Sequence, residues 1–429
     1  MANIFLYDEF NPEDTAMMQA LYSRSAKSVV EHVEIVKQSG SGKFMETFYV
    51  GYGHASIADC GSTTLFIEGI SILGDKAIQD WQLYSGQETS TRYIDMSKQA
   101  IINPIGTTES KAILDTWMNF YISNQEKIQD FLMKKYPRQE GEDESMYIKA
   151  IKARGFDIMR GFLPAGITTQ LSWHTNLRQA WDKIALLLHH PLPEVKETAE
   201  KILAELQKKY THSFSHPSYE EQEAYRELTV KKYSYLNPED DSAFRFKTNV
   251  KAEELEKYRD ITDSRPTKTG LPTFLGELGS FDFDFVLDYG SFRDIQRHRN
   301  GVCRMPLLTT KLGFSNWYLE QLPDDLRLEA IDLIKEQTSA IAKLETSPEI
   351  RQYYIAIGFN IFGRVSYPLP AALYVIELRS GKAVHPSLRK LAIAMSKAVS
   401  EKFPNLKMHI DTNPDDWDVR RGLQDITIK

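Results

Sequence analysis

A chain of 429 residues with 42% hydrophobic, 11% aromatic and 26% charged residues carries ample apolar surface, no low-complexity tract and too much length for one ordinary core, so two domains are expected. Its formal net charge of −7 argues against a general nucleic-acid surface and leaves any basic site local and shaped for a small anion. The only cysteines, Cys60 and Cys303, lack metal-ligand spacing, no apolar run approaches a bilayer span and the start has no secretory pattern, which together predict free thiols, no metal, no membrane segment and a cytoplasmic chain.

In chain order, Asn11-Pro12-Glu13-Asp14 reads as a turn and cap, and the apolar spacing of Met18, Leu21, Val29, Val33 and Val36 predicts a helix over 15–38. Ser39-Gly40-Ser41-Gly42-Lys43 lacks the glycine spacing and following hydroxyl of a phosphate loop and reads as a helix exit. Gly53-His54-Ala55-Ser56 then leads into a strand over 63–67, a helix over 73–80 and a polar stretch to Met96. Helical patterns follow at 110–135, 146–161, 194–210 and 219–233, the last with Ser218 and Glu221 spaced as a capping box. Turn chemistry and charge at Leu236-Asn237-Pro238-Glu239-Asp240-Asp241 place a boundary between domains 1–235 and 236–429. The second half reads as a helix near Glu253, an alternating strand at 281–288, a helix over 324–345, an apolar helix through Ile355 and Phe359, and a helix over 387–403.

Directly after that strand, Arg293-Asp294-Ile295-Gln296-Arg297-His298-Arg299 gathers several guanidiniums within two turns. Such forks repel one another unless an anion or carboxylates offset them, so the stretch is either an anion cradle or a solvated face paired with Asp288 and Asp294. The two halves also run in parallel. Thr63, Leu65 and Ile67 fall against Phe281, Phe283 and Phe285, and Asp80-Trp81-Gln82 against Arg297-His298-Arg299 with one extra residue in the first half. This order predicts a diverged internal duplication, with chance as the alternative because strand-then-helix order is common.

These residues resemble the flavin-dependent thymidylate synthases, whose signature runs Arg-His-Arg-x-x-Ser-x-Asn-Glu-x-Ser-x-Arg-Tyr, with a preceding Gly-His and later Arg-x-x-Leu-Pro, Asn-x-Arg and Leu-Arg elements. The first half holds Gly53-His54, Ser85-Gly86-Gln87-Glu88-Thr89-Ser90-Thr91-Arg92-Tyr93, Arg160-Gly161-Phe162-Leu163-Pro164 and Asn176-Leu177-Arg178, but has Asp80-Trp81-Gln82 for Arg-His-Arg, Gln87 for Asn and no late arginine. The second half holds Arg297-His298-Arg299 and Leu378-Arg379, but has Val302, Leu307 and Thr309 for the serines and arginine, and Pro368 and Pro370 for the Asn-x-Arg pair. In the family, active sites lie between subunits of a homotetramer, and one subunit gives the nucleotide the set that one half keeps here while another gives the remainder.

The resemblance therefore implies an α+β chain of two tandem thymidylate synthase-like domains, each with an antiparallel sheet flanked by long helices. It implies one composite site in which Arg297, Glu88, Ser90, Arg92, Arg160 and Asp294 bind a pyrimidine nucleotide. Arg379 would act on the base, and His54, Ser56, Arg297, His298, Arg299, Asn176 and Arg178 would hold FAD. Methylenetetrahydrofolate and NADPH would be co-substrates in converting deoxyuridylate to thymidylate, and two chains would form a homodimer equivalent to a tetramer of domains. Gln87 and the dismantled second site leave open a different pyrimidine nucleotide, or a nucleotide- and flavin-binding pseudoenzyme. Arg379 favours an enzyme, because a binding protein needs a phosphate clamp but no arginine placed to ionise a base. His174, His189, His190, His212 and His216 form no metal-ligand pattern.

Overall fold

The computed structural model describes residues 10–23, 25, 28–51, 54–236 and 244–413. Among them, seven strands form two sheets: β1 (Ser62–Ser71), β2 (Ser85–Glu88) and β3 (Thr168–Asn176) in the order β1-β3-β2, then β4 (Arg245–Thr248), β5 (Ser280–Asp288), β6 (Val302–Arg304) and β7 (Asn360–Pro368) in the order β4-β5-β7-β6. β5 shows why these segments pair as they do. Phe281, Phe283, Phe285 and Leu287 alternate along it and are all buried, as period-two apolar patterning requires, and every residue of the strand pairs antiparallel with β7.

One order of elements occurs twice, apart from helix Gln125–Lys135 in the first pass and helix Asn316–Glu320 in the second, which have no counterpart in it. The first pass runs β1, helix Ile72–Gln79, β2, helix Thr108–Ser123, helix Glu144–Met159, a single turn Arg160–Phe162, β3, helix Leu177–Leu187 and helix Pro193–Lys209. The second runs β5, helix Tyr289–Ile295, β6, helix Asp324–Ala342, helix Pro348–Arg351, a single turn Gln352–Tyr354, β7, helix Leu369–Arg379 and helix Pro386–Lys402. Strand order repeats as well, β1-β3-β2 and β5-β7-β6, with β4 added at one edge. Register fixes the equivalences residue by residue. Ser85 lies opposite His174 and Val302 opposite Ser366, and His174 and Ser366 hold the same place in β3 and β7. The extra residue of the first copy sits in β1, which has 10 residues to the 9 of β5 and contains Gly69 at φ 73°, the conformation of a bulge glycine.

Contacts divide the chain differently from the repeat. The first compact unit takes the described residues of 1–70, 74–88 and 170–234, and the second those of 71–73, 89–169 and 235 onward. Segment 89–169, which the first copy contributes, thus packs with the second sheet. Within this second unit the two copies meet through equivalent residues. Leu163 O accepts from Ile357 N at 2.8 Å and Ile355 O from Ala165 N at 2.9 Å, while Gly161 O accepts from Gly358 N at 2.8 Å and Tyr353 O from Gly166 N at 2.9 Å. Each bond has a mate under exchange of the copies about Pro164 and Ala356, a local two-fold. Close approach needs glycine here: a Cβ on Gly358 would overlap the Phe314 ring and lie 2.6 Å from Gly161 O. Trp117, fully buried, donates to Tyr354 O at 3.0 Å and closes the same core.

Several expected boundaries shift. The predicted helix over 15–38 is two, Pro12–Tyr22 capped by Asn11 and Val29–Ser39 opened by a capping box of Ser28 and Glu31. That over 110–135 is interrupted at Asn124, whose amide turns back to Phe120 O. The box at Ser218 and Glu221 does not form, because the helix starts at Glu220 with Tyr219 as an uncapped entry. Residues 355–359 are no helix, since their backbone is committed to the symmetric pairing with 161–166. The boundary residues 237–241, the opening residues 1–8 and Gly53 lie outside the described residues.

Candidate functional site

The second unit places guanidiniums from both copies around one carboxylate. Asp288 caps the short helix Tyr289–Ile295 by accepting from Ser291 N at 2.8 Å, and this turn carries Asp294 and then Arg297. Asp294 is 8% exposed. Burial would raise its pKa, yet Arg297, Arg92, Arg379 and Arg160 together outweigh it and hold the carboxyl down at about 2. Arg297, half-exposed, reaches Asp294 at 3.5 Å from the solvent side.

The other three arginines are each fixed by named partners. Arg92 follows the turn in which Ser90 Oγ accepts from Arg92 N at 3.3 Å, and its fork closes on Asp157 at 2.8 and 3.3 Å. Burial, and then Arg160, push its pKa down to about 10, which still leaves it charged at neutral pH. Arg160 is fully buried at the start of its single turn and donates to Ser291 Oγ at 3.3 Å. Arg379 ends its helix and donates from Nε to His298 Nε2 at 2.7 Å and from an Nη to Asp294 O at 2.8 Å. Because Nε2 accepts, His298 is neutral with its proton on Nδ1. Burial, reinforced by Arg379, pushes its pKa down to about 3. Arg299 Nη1 turns back to Arg297 O at 3.2 Å.

Of the residues singled out in the sequence, Ser90, Arg92, Arg160, Asp294, Arg297, His298, Arg299 and Arg379 all lie in this second unit. Glu88, His54, Ser56, Asn176 and Arg178 lie in the first. There, Asp59 receives Asn176 Nδ2 at 3.1 Å and Arg178 Nε at 2.7 Å, while Asn176 Oδ1 caps the helix Leu177–Leu187. His54 is exposed against Phe48, and the backbone carbonyl of Ser56 accepts the Cys60 thiol. The carboxylate of Glu88 is taken by buried Lys76 at 2.5 Å and by Gln79 at 2.6 Å.

Lys76 occupies in the first copy the place of Arg293 in the second, the fifth residue of each helix. Its charge is met by Glu88 and Asp75. Asp80, standing where Arg297 stands in the second copy, has its carbonyl bound by Lys183, whose pKa burial pushes down to about 8. Where the second unit gathers four arginines on Asp294, the corresponding turn of the first unit is balanced by its own acids. Asp157, Ser291, Tyr318 and His385 escaped the sequence reading; only Asp157, one helical turn before Arg160, offered a spacing signal.

Residues 6–210 match the family model described as thymidylate synthase complementing protein. The chain is 27% identical over 415 residues to a UPF0159 protein of Chlamydia muridarum (strain MoPn / Nigg), covering 83% of this chain and 78% of that one. It is 24% identical to a UPF0159 protein of Thermoplasma acidophilum, with 92% and 94% covered. A UPF0159 protein of Chlamydia pneumoniae is 23% identical, with 84% and 78% covered.

Proposed function

Because residues 6–210 match the model of the thymidylate synthase complementing protein family, we propose that the chain is a flavin-dependent thymidylate synthase-like enzyme. It transfers a one-carbon unit from methylenetetrahydrofolate to deoxyuridylate with NADPH as reductant, at one composite nucleotide site per chain. The observation that carries this reading is the gathering about Asp294, within the second unit, of Arg92 and Arg160 from one copy and Arg297 and Arg379 from the other, Arg297 paired with its carboxylate and Arg379 with its carbonyl. Four guanidiniums around one aspartate, Arg160 fully buried and Arg297 open to solvent, suit a ligand that brings its own negative charge.

Ser90, Arg92 and Arg160 bind the phosphate, with hydroxyl, fork and buried guanidinium supplying the donors. Arg379 has Nε and one Nη committed to His298 and Asp294, which leaves the other Nη for the pyrimidine edge. A cation there favours the base ionised at N3 and so raises electron density at C5, without a cysteine nucleophile. His298 must stay neutral to hold Arg379, and Asp294, an acceptor only, orients the phosphate away from itself toward Arg92 and Arg160. Taken by themselves, Arg297 and Arg299 of the second unit are guanidiniums of the kind that bind a pyrophosphate, and in the first unit Asp59 fixes the amide of Asn176 and the guanidinium of Arg178, donors of the kind that FAD would use. When bound, the flavin would supply the redox step of the one-carbon transfer.

Calorimetric titration with deoxyuridylate tests the reading. One nucleotide per chain is expected, lost in Arg92→Ala and in Arg379→Ala by tens to thousands of fold, since removing one partner of a buried charged contact costs ~2–5 kcal/mol. Asp80→Ala should bind within a few fold of the parent. Two nucleotides per chain, or a colourless protein that cannot be reconstituted with FAD, would overturn it.

A further inference from the structure

Behind the arginine cluster lies a buried chain of polar groups that the proposed chemistry does not use. His385, fully buried, precedes the helix Pro386–Lys402 and accepts the Ser387 N–H at Nδ1, 3.4 Å away. A backbone N–H can only donate, so Nδ1 is an acceptor and the ring proton is on Nε2. Ser291 Oγ lies 3.0 Å from the same Nδ1 and must therefore send it the hydroxyl hydrogen. That turns the oxygen lone pairs of Ser291 toward Arg160, whose Nη2 donates to Oγ at 3.3 Å. Trp317 and Tyr318 hold the imidazole in place, with ring centroids at 4.3 and 5.5 Å.

We infer that Ser291 and His385 are positioning residues that fix the Arg160 guanidinium for the phosphate of the substrate, an inference that rests on Arg160 being a phosphate contact. The internal repeat supports it independently of any ligand. The place of Arg160 in the other copy is held by Gln352, the first residue of the matching turn; that of Ser291 by Gly74, the third residue of the matching helix; and that of His385 by Leu192, the residue before the matching helix proline. All three members are replaced at once. A Cβ on Gly74 would lie 2.6 Å from the Ile70 side chain and Leu192 is fully buried, so neither position keeps room for the polar relay. A role confined to packing would not require the serine, the histidine and the arginine to be lost as a set.

The test compares deoxyuridylate with deoxyuridine, which lacks the phosphate, in Ser291→Ala, His385→Ala and His385→Asn, with inorganic phosphate titrated in parallel. Asparagine restores an acceptor near Nδ1 and is a good helix cap. The preference for deoxyuridylate over deoxyuridine is expected to fall about tenfold or more in both alanine variants and to recover in His385→Asn, while deoxyuridine binding holds. General damage to the fold would weaken both ligands alike and would overturn the inference, as would an unchanged preference in Ser291→Ala. A parent chain that binds phosphate but not deoxyuridylate would defeat the functional reading alone. The inference is then decided by phosphate: equal affinity in the parent and Ser291→Ala refutes it, and about tenfold weaker binding in the variant upholds it.

Discussion

At the scale of single residues the site is an electrostatic problem in which the guanidiniums outnumber the carboxylates, Asp294 and the Arg92 partner Asp157. Asp294→Asn removes the only charge that all four arginines share, and uncompensating a buried charge cluster costs ~3–5 kcal/mol. Urea denaturation at neutral pH should register that loss, and saturating phosphate should stabilise the variant more than the parent, because an external anion takes over the lost role. Equal stabilisation of the two would show that phosphate does not enter the cluster. The buried histidines set the acid limit. His298 and His190 have pKa values pushed down to about 3, chiefly by burial, from an ordinary value of 6.5. Folded pKa values below the unfolded ones mean that the fold keeps these rings neutral. The stabilisation is therefore complete above pH 6.5 and shrinks as pH falls from there toward 3, by ~1.4 kcal/mol per pH unit for each ring. Between pH 6.5 and 5 the fall in unfolding free energy should flatten by one proton in His298→Gln, which keeps an acceptor for Arg379. Arg92, Arg160, Arg297 and Arg379 were legible because they stand in short motifs. Ser291 and His385 were not, since a serine and a histidine far apart in sequence carry no spacing signal until the turn and the helix bring them together.

At the scale of elements, the sequence disclosed strands where apolar residues alternate and concealed them where they do not. β5 alternates Phe with Asp and was read directly, whereas β3, Thr-Thr-Gln-Leu-Ser-Trp-His-Thr-Asn, places threonines on its buried face and has almost no hydrophobic period. Two glycines separate what the pairing of 353–358 with 161–166 contributes from what the sheet contributes. Gly358→Ala drives a methyl against the Phe314 ring and the Gly161 carbonyl, a clash that only a shift of the paired backbone relieves, at a cost of ~3 kcal/mol or more. Displacing that backbone moves Arg160, the residue before Gly161 in the same turn, so deoxyuridylate binding should fall with stability. Gly69→Ala meets nothing within 4 Å and costs only the ~1 kcal/mol of its φ of 73°. Thermal denaturation and nucleotide titration of the two variants check the contrast, and retained binding in Gly358→Ala would show that the pairing does not position Arg160.

At the scale of the whole molecule, the repeat was visible in the sequence as an order of elements, but the partition of the chain was not. Complementary motif losses in the two halves pointed to a composite site, yet nothing in composition or turn chemistry marks 89–169 as packing with the second sheet, because that choice is made by Trp117, Phe120 and Phe162 burying themselves in one particular core. The local two-fold about Pro164 and Ala356 relates 161–166 of one copy to 353–358 of the other inside one chain. A closed particle of four copies with dihedral symmetry needs two further two-fold axes, and only a second chain can supply them, so a homodimer is expected. Light scattering at micromolar concentration should return twice the chain mass, and a tetramer of full chains or a strict monomer would contradict it. Arg92, Arg160, Arg297 and Arg379 already converge within the second unit of a single chain. If that convergence is the nucleotide site, dimerisation is not needed to assemble it. Deoxyuridylate affinity measured across protein concentrations that span the dimer dissociation should then stay constant, at two nucleotides per dimer and one per chain. An affinity that weakens on dilution in step with dissociation would mean that a residue from the second chain completes the clamp, and would move the site from within the chain to the interface.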